Sequence, residues 1–436
     1  MAFAVAPLLL SLLLAAAQEP SVKVPPSEAR VLRERLADAL IAAREAGGEF
    51  DAPAVSKALE PWAHAATRRT PEALFAVLRE GPLHGKTPTG YAHYEFESAG
   101  WKLRYLVEAP KASGSKPRAV LLEPGYSSLA PGASWNDSSR ERNTLGLREA
   151  AEKTPFADCL IVRSEILERA AEKLKDFPPE EVIAAAFDDL LRDLSARYPV
   201  DPDRILLTGY GETGSYAWYL ARAQPDRWAG LVITGARAVW GHRAISNLLP
   251  IPTFVAHGEK DEAYPVAEAR LACAALEEIG GRVRFLEVAG GGTGSAYDKL
   301  REGLTWAIEE GPRNPFPRVL DHRFSTLRNP RAFWIRAEAL AQENDGYGRS
   351  HPTARVQAVV DGQTIRLTVQ GVPRLTLSLA PELLVLTQPV IVEWNGARVF
   401  EGAVAADLAG ALSQTLTTGD WRSCGLARLT LSAPIP

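Results

Sequence analysis

Six residues, Gly209-Tyr210-Gly211-Glu212-Thr213-Gly214, lie between an apolar segment that reads as a strand, Ile205 to Thr208, and a helix containing Ala217 and Trp218. A tight strand-to-helix turn can do two kinds of chemistry. Its glycines can let backbone amides approach a phosphate at the helix N-terminus. Alternatively, it can hold one side chain out on a sharp bend to attack a carbonyl. The Gly209-x-Gly211-x-x-Gly214 spacing matches the first use, a dinucleotide site. That use needs an acid about 20 residues on, at the end of the next strand, to hold the ribose. Here Leu231 to Thr234 leads instead into Gly235-Ala236-Arg237, and several strands precede the turn. A nicotinamide cofactor is not expected, and neither is any other cofactor. For the second use, the nearby candidates are the hydroxyls of Thr213 and Ser215 and the carboxylates of Glu212 and Asp261. Thr213 has no partner base, and one helical turn beyond the bend the Ser215 hydroxyl should face along the helix. Glu212 and Asp261 could meet as a carboxylate pair, although such residues are more often solvated or bound to an arginine.

The elements that must position these residues follow from periodicity. Residues 27–85 form a helical N-terminal segment, with Leu32, Leu36 and Leu40 at one-turn spacing, Gly47-Gly48 as a stop, and Pro71 opening a further helix. The simplest role for these amphipathic helices is a helical hairpin docked for stability; a lid or a dimer face would also use their apolar sides. Tyr91 to Glu97 and Trp101 to Glu108 read as a hairpin. Ala119 to Leu122, Cys159 to Val162, Ile205 to Thr208, Leu231 to Thr234, Ile251 to Ala256 and Val283 to Val288 read as strands. Helices are expected over Glu180 to Tyr198, Val266 to Ile279 and Ala296 to Glu310. Strands alternating with helices of this length imply a parallel sheet covered on both faces, an α/β class over residues 90–312. Residues 313–436 change character to short strands, with Asp361-Gly362 and Asn395-Gly396 where tight hairpin turns need positive φ. They form a small β-rich accessory domain fed by Arg331 to Arg336.

The frame around the bend carries a family resemblance. Tyr198-Pro-Val-Asp-Pro-Asp-Arg204 precedes the strand, and Pro225-Asp226-Arg227-Trp228-Ala229-Gly230 follows the helix. This resembles the nucleophile-elbow region of secreted α/β-hydrolases, in particular polyhydroxyalkanoate depolymerase-like and prolyl-oligopeptidase-like esterases, over roughly Tyr91 to Glu310. The resemblance implies an α/β-hydrolase fold and a serine at the position of Gly211. His257-Gly258-Glu259-Lys260-Asp261, with Tyr264-Pro265 after it, resembles the loop that carries the triad acid. That role passes by position to Asp261, while His257 braces the loop. The loop Ala289-Gly-Gly-Gly-Thr293-Gly-Ser295 stands where the family places its histidine, which puts Thr293 in the base position. No histidine occurs between Gly258 and Asp321, and threonine accepts no proton near neutral pH. Where the family often has His-Gly-Gly after the strand Ala119 to Leu122, Glu123-Pro124-Gly125-Tyr126 follows. Proline offers no amide proton, and a carboxylate would repel an oxyanion. Gly211, Asp261 and Thr293 are therefore vestigial triad positions, with no intact catalytic set. Glycine also occupies the strained elbow conformation without a side-chain clash.

The 436 residues, 46% hydrophobic and 23% charged, suit two or three globular domains. A net charge of −4 gives no basis for nucleic acid as a partner. Phe3 to Ala17, ending Ala15-Ala16-Ala17, reads as a signal peptide over residues 1–17. It is too short to span a bilayer, so a secreted or periplasmic protein without an integral membrane segment is expected. Cys159, Cys273 and Cys424 are too few and too scattered for a disulfide framework, and no spacing suggests a metal site. The expected function is that of an inactive hydrolase relative that binds a small molecule, polymer or protein. Its pocket would be formed by Gly125, Tyr126, Tyr210, Glu212, Thr213 and Tyr264. The alternative is an active esterase or peptidase with an unrecognised nucleophile.

Overall fold

The computed structural model describes residues 23–45, 52–98, 101–111, 116–125, 137–169, 180–238, 244–324, 326–327, 330–342 and 354–434. The expected signal peptide, Gly47-Gly48 and Tyr126 lie outside the described residues. Three helices come first: α1 Pro26–Glu45, α2 Ala52–Ala66 and α3 Pro71–Arg79. Thr70 caps α3 by accepting from the Ala73 amide, and Pro71 occupies the first turn, where its missing N–H costs nothing.

Eight strands form one sheet: β1 Gly90–Ser98, β2 Trp101–Ala109, β3 Arg118–Glu123, β4 Leu160–Arg169, β5 Val200–Tyr210, β6 Gly230–Thr234, β7 Thr253–Gly258 and β8 Val283–Val288. Their spatial order is β1-β2-β4-β3-β5-β6-β7-β8. β1, β2 and β4 pair antiparallel in succession, whereas β4-β3-β5-β6-β7-β8 are parallel throughout. The sheet is thus mostly parallel, as expected, with the hairpin β1-β2 forming its antiparallel edge. Alternate residues feed opposite faces. Along β3, Val120 and Leu122 pack with the helices α5 Glu180–Arg197, α6 Glu212–Ala223 and α7 Val266–Glu278. Ala119 and Leu121 pack with α4 Asp137–Glu152 and α8 Leu300–Glu309 on the other side.

The C-terminal region is a two-sheet β structure. One sheet orders β10 Arg331–Ala332, β11 Ile335–Ala339, β14 Arg374–Leu379 and β17 Ala427–Ser432; the other orders β16 Ala397–Gly402, β15 Val390–Trp394, β13 Thr364–Gln370, β12 Ala354–Asp361 and β9 Val319–Phe324. Their inner faces share a core containing Trp334, Val356, Leu367, Leu377 and Trp394. Asn395-Gly396 turns with positive φ at both residues, as expected. The other hairpin is shifted by one residue. Asp361 pairs with Thr364, so the turn pair is Gly362-Gln363, with only Gly362 at positive φ.

One further helix, α9 Leu408–Thr418, ties the chain together. Leu408, Leu412 and Leu416 join Leu32, Leu36, Trp62 and Leu78 of the N-terminal helices in a single apolar cluster. The N-terminal helices are therefore docked elements whose apolar faces are spent on packing. Among the described residues no helix is long and apolar enough to cross a membrane.

Candidate active site

The bend between β5 and α6 has the conformation of a nucleophile elbow. Gly211 sits at φ 57° and ψ −123°, its amide bonded to the Thr234 carbonyl of the neighbouring strand. The flanking glycines are there for close packing. A Cβ on Gly209 would fall 2.5 Å from Gly214 Cα, and one on Gly214 would fall 2.5 Å from Ala236 Cβ. Gly211 differs, because the nearest atom to a Cβ there is Tyr264 Cε2 at 3.4 Å. Packing would admit a side chain at Gly211, and only the positive φ selects glycine. The bend keeps the room for an attacking group and lacks the group.

The loop after β7 carries Asp261, which is 6% exposed. Its Oδ1 accepts three bonds, from the amides of Ala263 (3.0 Å) and Tyr264 (2.9 Å) and from the Thr293 hydroxyl (2.6 Å). The Thr293 hydroxyl therefore spends its only proton on the carboxylate. His257 is the histidine that approaches Asp261, with Nε2 3.5 Å from Oδ2. That Nε2 lies 2.6 Å from the Tyr264 carbonyl, an acceptor, so Nε2 carries a proton and donates. The ring is fully buried, bracing the loop as expected and turned away from base work.

Tyr264 covers the bend. Burial, with the carboxylates of Glu212 and Asp261, pushes its phenol above the usual range. It is a donor at neutral pH and no general base. Glu212 opens α6 exposed while Asp261 is buried. No bond joins the two among the described contacts, so the carboxylate pair these residues could have made is not formed, and Glu212 takes the commoner solvated arrangement. Ser215 Oγ lies 3.4 Å from the Gly211 carbonyl, a bond back along its own helix.

At the end of β3, Glu123 is buried and pairs with Arg163 Nη2 at 2.7 Å. Thr213 Oγ1 accepts from the Tyr210 amide and lies 3.0 Å from both Glu123 Oε1 and the Tyr210 carbonyl; its single proton serves one of them at a time. The glutamate is thus tied to a cation and a hydroxyl, and Thr213 to a carboxylate and the backbone. Gly125 follows at the described end of that loop, half-buried. The Tyr210 ring meets Tyr297 edge to face at 5.4 Å. Arg163 and Tyr297 were not among the expected site residues. Parallel pairing places Arg163 opposite Glu123, a relation between residues 40 apart that no local motif signals. The described residues thus bring Tyr210, Gly211, Thr213, Tyr264, Asp261 and Thr293 around one bend.

This strand order, with a helix following the bend after β5, is that of the α/β-hydrolase fold. Within the chain, residues 166–305 match the model of the phospholipase/carboxylesterase family. No curated protein has a sequence that matches this one. Among solved structures, a thermostable esterase is similar, with 21% identity and a TM-score of 0.41 over 51% of this chain and 63% of that one. This chain thus spans less than two thirds of that esterase. An α/β serine hydrolase homologue from Coxiella burnetii (15% identity, TM-score 0.36) covers 51% of this chain and 100% of its own. A lidless α/β serine hydrolase from Xanthomonas campestris (16%, 0.37) covers 52% and 97%.

Proposed function

We propose that this protein is a catalytically inactive α/β-hydrolase relative whose elbow site binds rather than turns over its ligand. Its kinship with depolymerase-like and prolyl-oligopeptidase-like esterases is part of the proposal and rests on the sequence frame around the elbow. The observation that carries the reading is the pair of replacements around Asp261. Glycine stands at the bend, and a threonine hydroxyl donates to the acid where a base should accept a proton. Acyl transfer needs an activated nucleophile, and among the described residues the hydroxyls of Thr213, Ser215 and Thr293 are each engaged with backbone carbonyls or carboxylates. What remains is the Tyr264 phenol over Gly211, the exposed Glu212 at the helix start and the Tyr210 ring. These groups suit a small molecule, a polymer end or a peptide that offers hydrogen-bond acceptors.

The test combines turnover with active-site labelling. The full chain should hydrolyse no short-chain p-nitrophenyl ester above background and take up no fluorophosphonate. The double variant G211S/T293H restores the two missing groups in the geometry described, and it should gain fluorophosphonate labelling at residue 211. Labelling of the unmodified chain at any serine or threonine would establish the active-hydrolase alternative and end the proposal.

A further inference from the structure

Far along the chain from the elbow, the outer face of the sheet β10-β11-β14-β17 has an unusual make-up. Its inner residues, Ile335, Leu375, Leu377 and Leu431, enter the core. Its outward positions include Arg331, Arg336, Arg374 and Arg428, together with Thr376 and Thr430. The register sets Arg331 directly opposite Arg336, Arg336 opposite Thr376, and Thr376 opposite Thr430. Arg374 lies two residues from Thr376, beyond a β-bulge in the β11–β14 pairing. These residues line a cavity of about 470 Å³ closed on one side by α9.

The counter-charges are unevenly spread. Arg331 is 14% exposed and answered by Asp226 and Asp188 at 3.3 and 3.5 Å. Arg428 reaches the Gly410 carbonyl, and Asp407 only at 3.9 Å. Burial, with Arg336 close by, pulls its guanidinium below the usual range. Arg336 has the cavity's one glutamate, Glu338, at 3.6 Å, while 59% of its side chain stays exposed. The hydroxyls of Thr376 and Thr430 lie 2.9 Å apart; one donates to the other, which leaves one proton of the pair to point elsewhere.

We propose that this cavity is a binding site for an oxyanion, the carboxylate or phosphate of a small polar ligand, held by Arg336 and Arg374 with the Thr376–Thr430 hydroxyl pair donating. Two guanidiniums can grip a carboxylate or phosphate through paired N–H bonds. The site is separate from the elbow, so it adds a second ligand position to the proposed binding function and does not depend on it.

Isothermal titration of the full chain with inorganic phosphate and with citrate, at constant ionic strength in chloride, tests this. Saturable binding of at least one anion is expected, and R336Q/R374Q should weaken it about tenfold or more, the loss of a charge-assisted contact. The variant R270Q, which removes an exposed arginine paired with Glu287 elsewhere, should leave it unchanged. Which anion binds tells phosphate from carboxylate as the recognised group. Saturation by neither anion up to about 10 mM, or binding that survives the double substitution, overturns the proposal. Circular dichroism of the double variant verifies its fold; if these exposed substitutions unfold it, R374Q alone serves as the comparison.

Discussion

The Thr293 hydroxyl gives Oδ1 of Asp261 a third donor, beside the amides of Ala263 and Tyr264. A buried carboxylate left short of donors costs stability, and the threonine hydroxyl supplies one of them. Removing that hydroxyl while keeping the shape, T293V, should lower the free energy of unfolding by about 1–3 kcal/mol, the range for a hydrogen bond to a charged group. T293S should keep most of it. Urea unfolding of the three proteins measures the difference, and equal stability of T293V and the parent would contradict the assigned role. Much of this site was legible because each part lies in a short local motif: the glycine-rich bend, the His257-to-Asp261 loop and the run from Ala289 to Ser295. The brace of Thr213, Glu123 and Arg163 was not legible. Its members lie up to 90 residues apart, and only the pairing of β3 with β4 and β5 joins them. Sequence reading accordingly gave Glu123 an oxyanion-repelling role, where the structure shows it paired with a cation.

Among the elements, strands written as apolar runs were found in place, and their errors were of length. β4 was expected to stop at Val162 and runs to Arg169, because its polar half pairs antiparallel with β2, from Arg104 opposite Glu165 to Trp101 opposite Arg169. β5 likewise begins at Val200, several residues before its apolar run. Pairing partners, rather than composition, set these ends. The strand β9 and the helix α9 were missed for a related reason: each is short and stabilised by distant neighbours. In β9, His322 lies opposite Val356 with its ring 4.4 Å from Phe324. Burial pushes its imidazole down to about 3, only partly opposed by Asp321. The folded chain therefore holds His322 neutral, while the unfolded chain takes up a proton near 6.5, the ordinary histidine value. The stability it contributes is complete above 6.5 and drains away as pH falls toward 3, by up to about 1.4 kcal/mol per pH unit. His84, also depressed by burial, acts in the same direction. Denaturant unfolding at pH 7 and pH 5 should show this slope, and H322L should flatten it by His322's share. Parallel pH profiles for H322L and the parent would mean that the imidazole is solvated.

For the whole molecule, the question is why a β-rich region and a set of helices stay attached to a sheet that could carry its own core. Two kinds of contact answer it. The apolar cluster of α1, α2 and α3 is completed by α9 from the far end of the chain, which buries the amphipathic faces that the sequence left without a partner. A chain of buried charges does the rest. Arg313, 6% exposed, bonds Asp203 of the sheet region through Nη2 at 2.7 Å and Asp420 of the C-terminal segment through Nη1 at 2.8 Å. Arg227 adds a second cation 3.6 Å from Asp420. Burial alone would raise Asp420, but Arg313 and Arg227, with the Arg422 amide, outweigh it and hold the carboxyl below 3.8, its ordinary value. A carboxyl depressed by folding gives its full stability above 3.8 and loses it as pH falls further, when the unfolded chain binds the proton first. Breaking a buried ion pair on one side leaves an uncompensated charge and costs about 3–5 kcal/mol. D420N should therefore be destabilised by about that much at pH 7 and show a shallower loss of stability below pH 3.8. Because Asp420 links the two regions, calorimetry should also show the sheet region and the C-terminal region unfolding together in the parent and separately in D420N. A single unchanged transition in the variant would mean that the apolar cluster alone holds the regions together, and that the buried arginines fix orientation without adding cohesion.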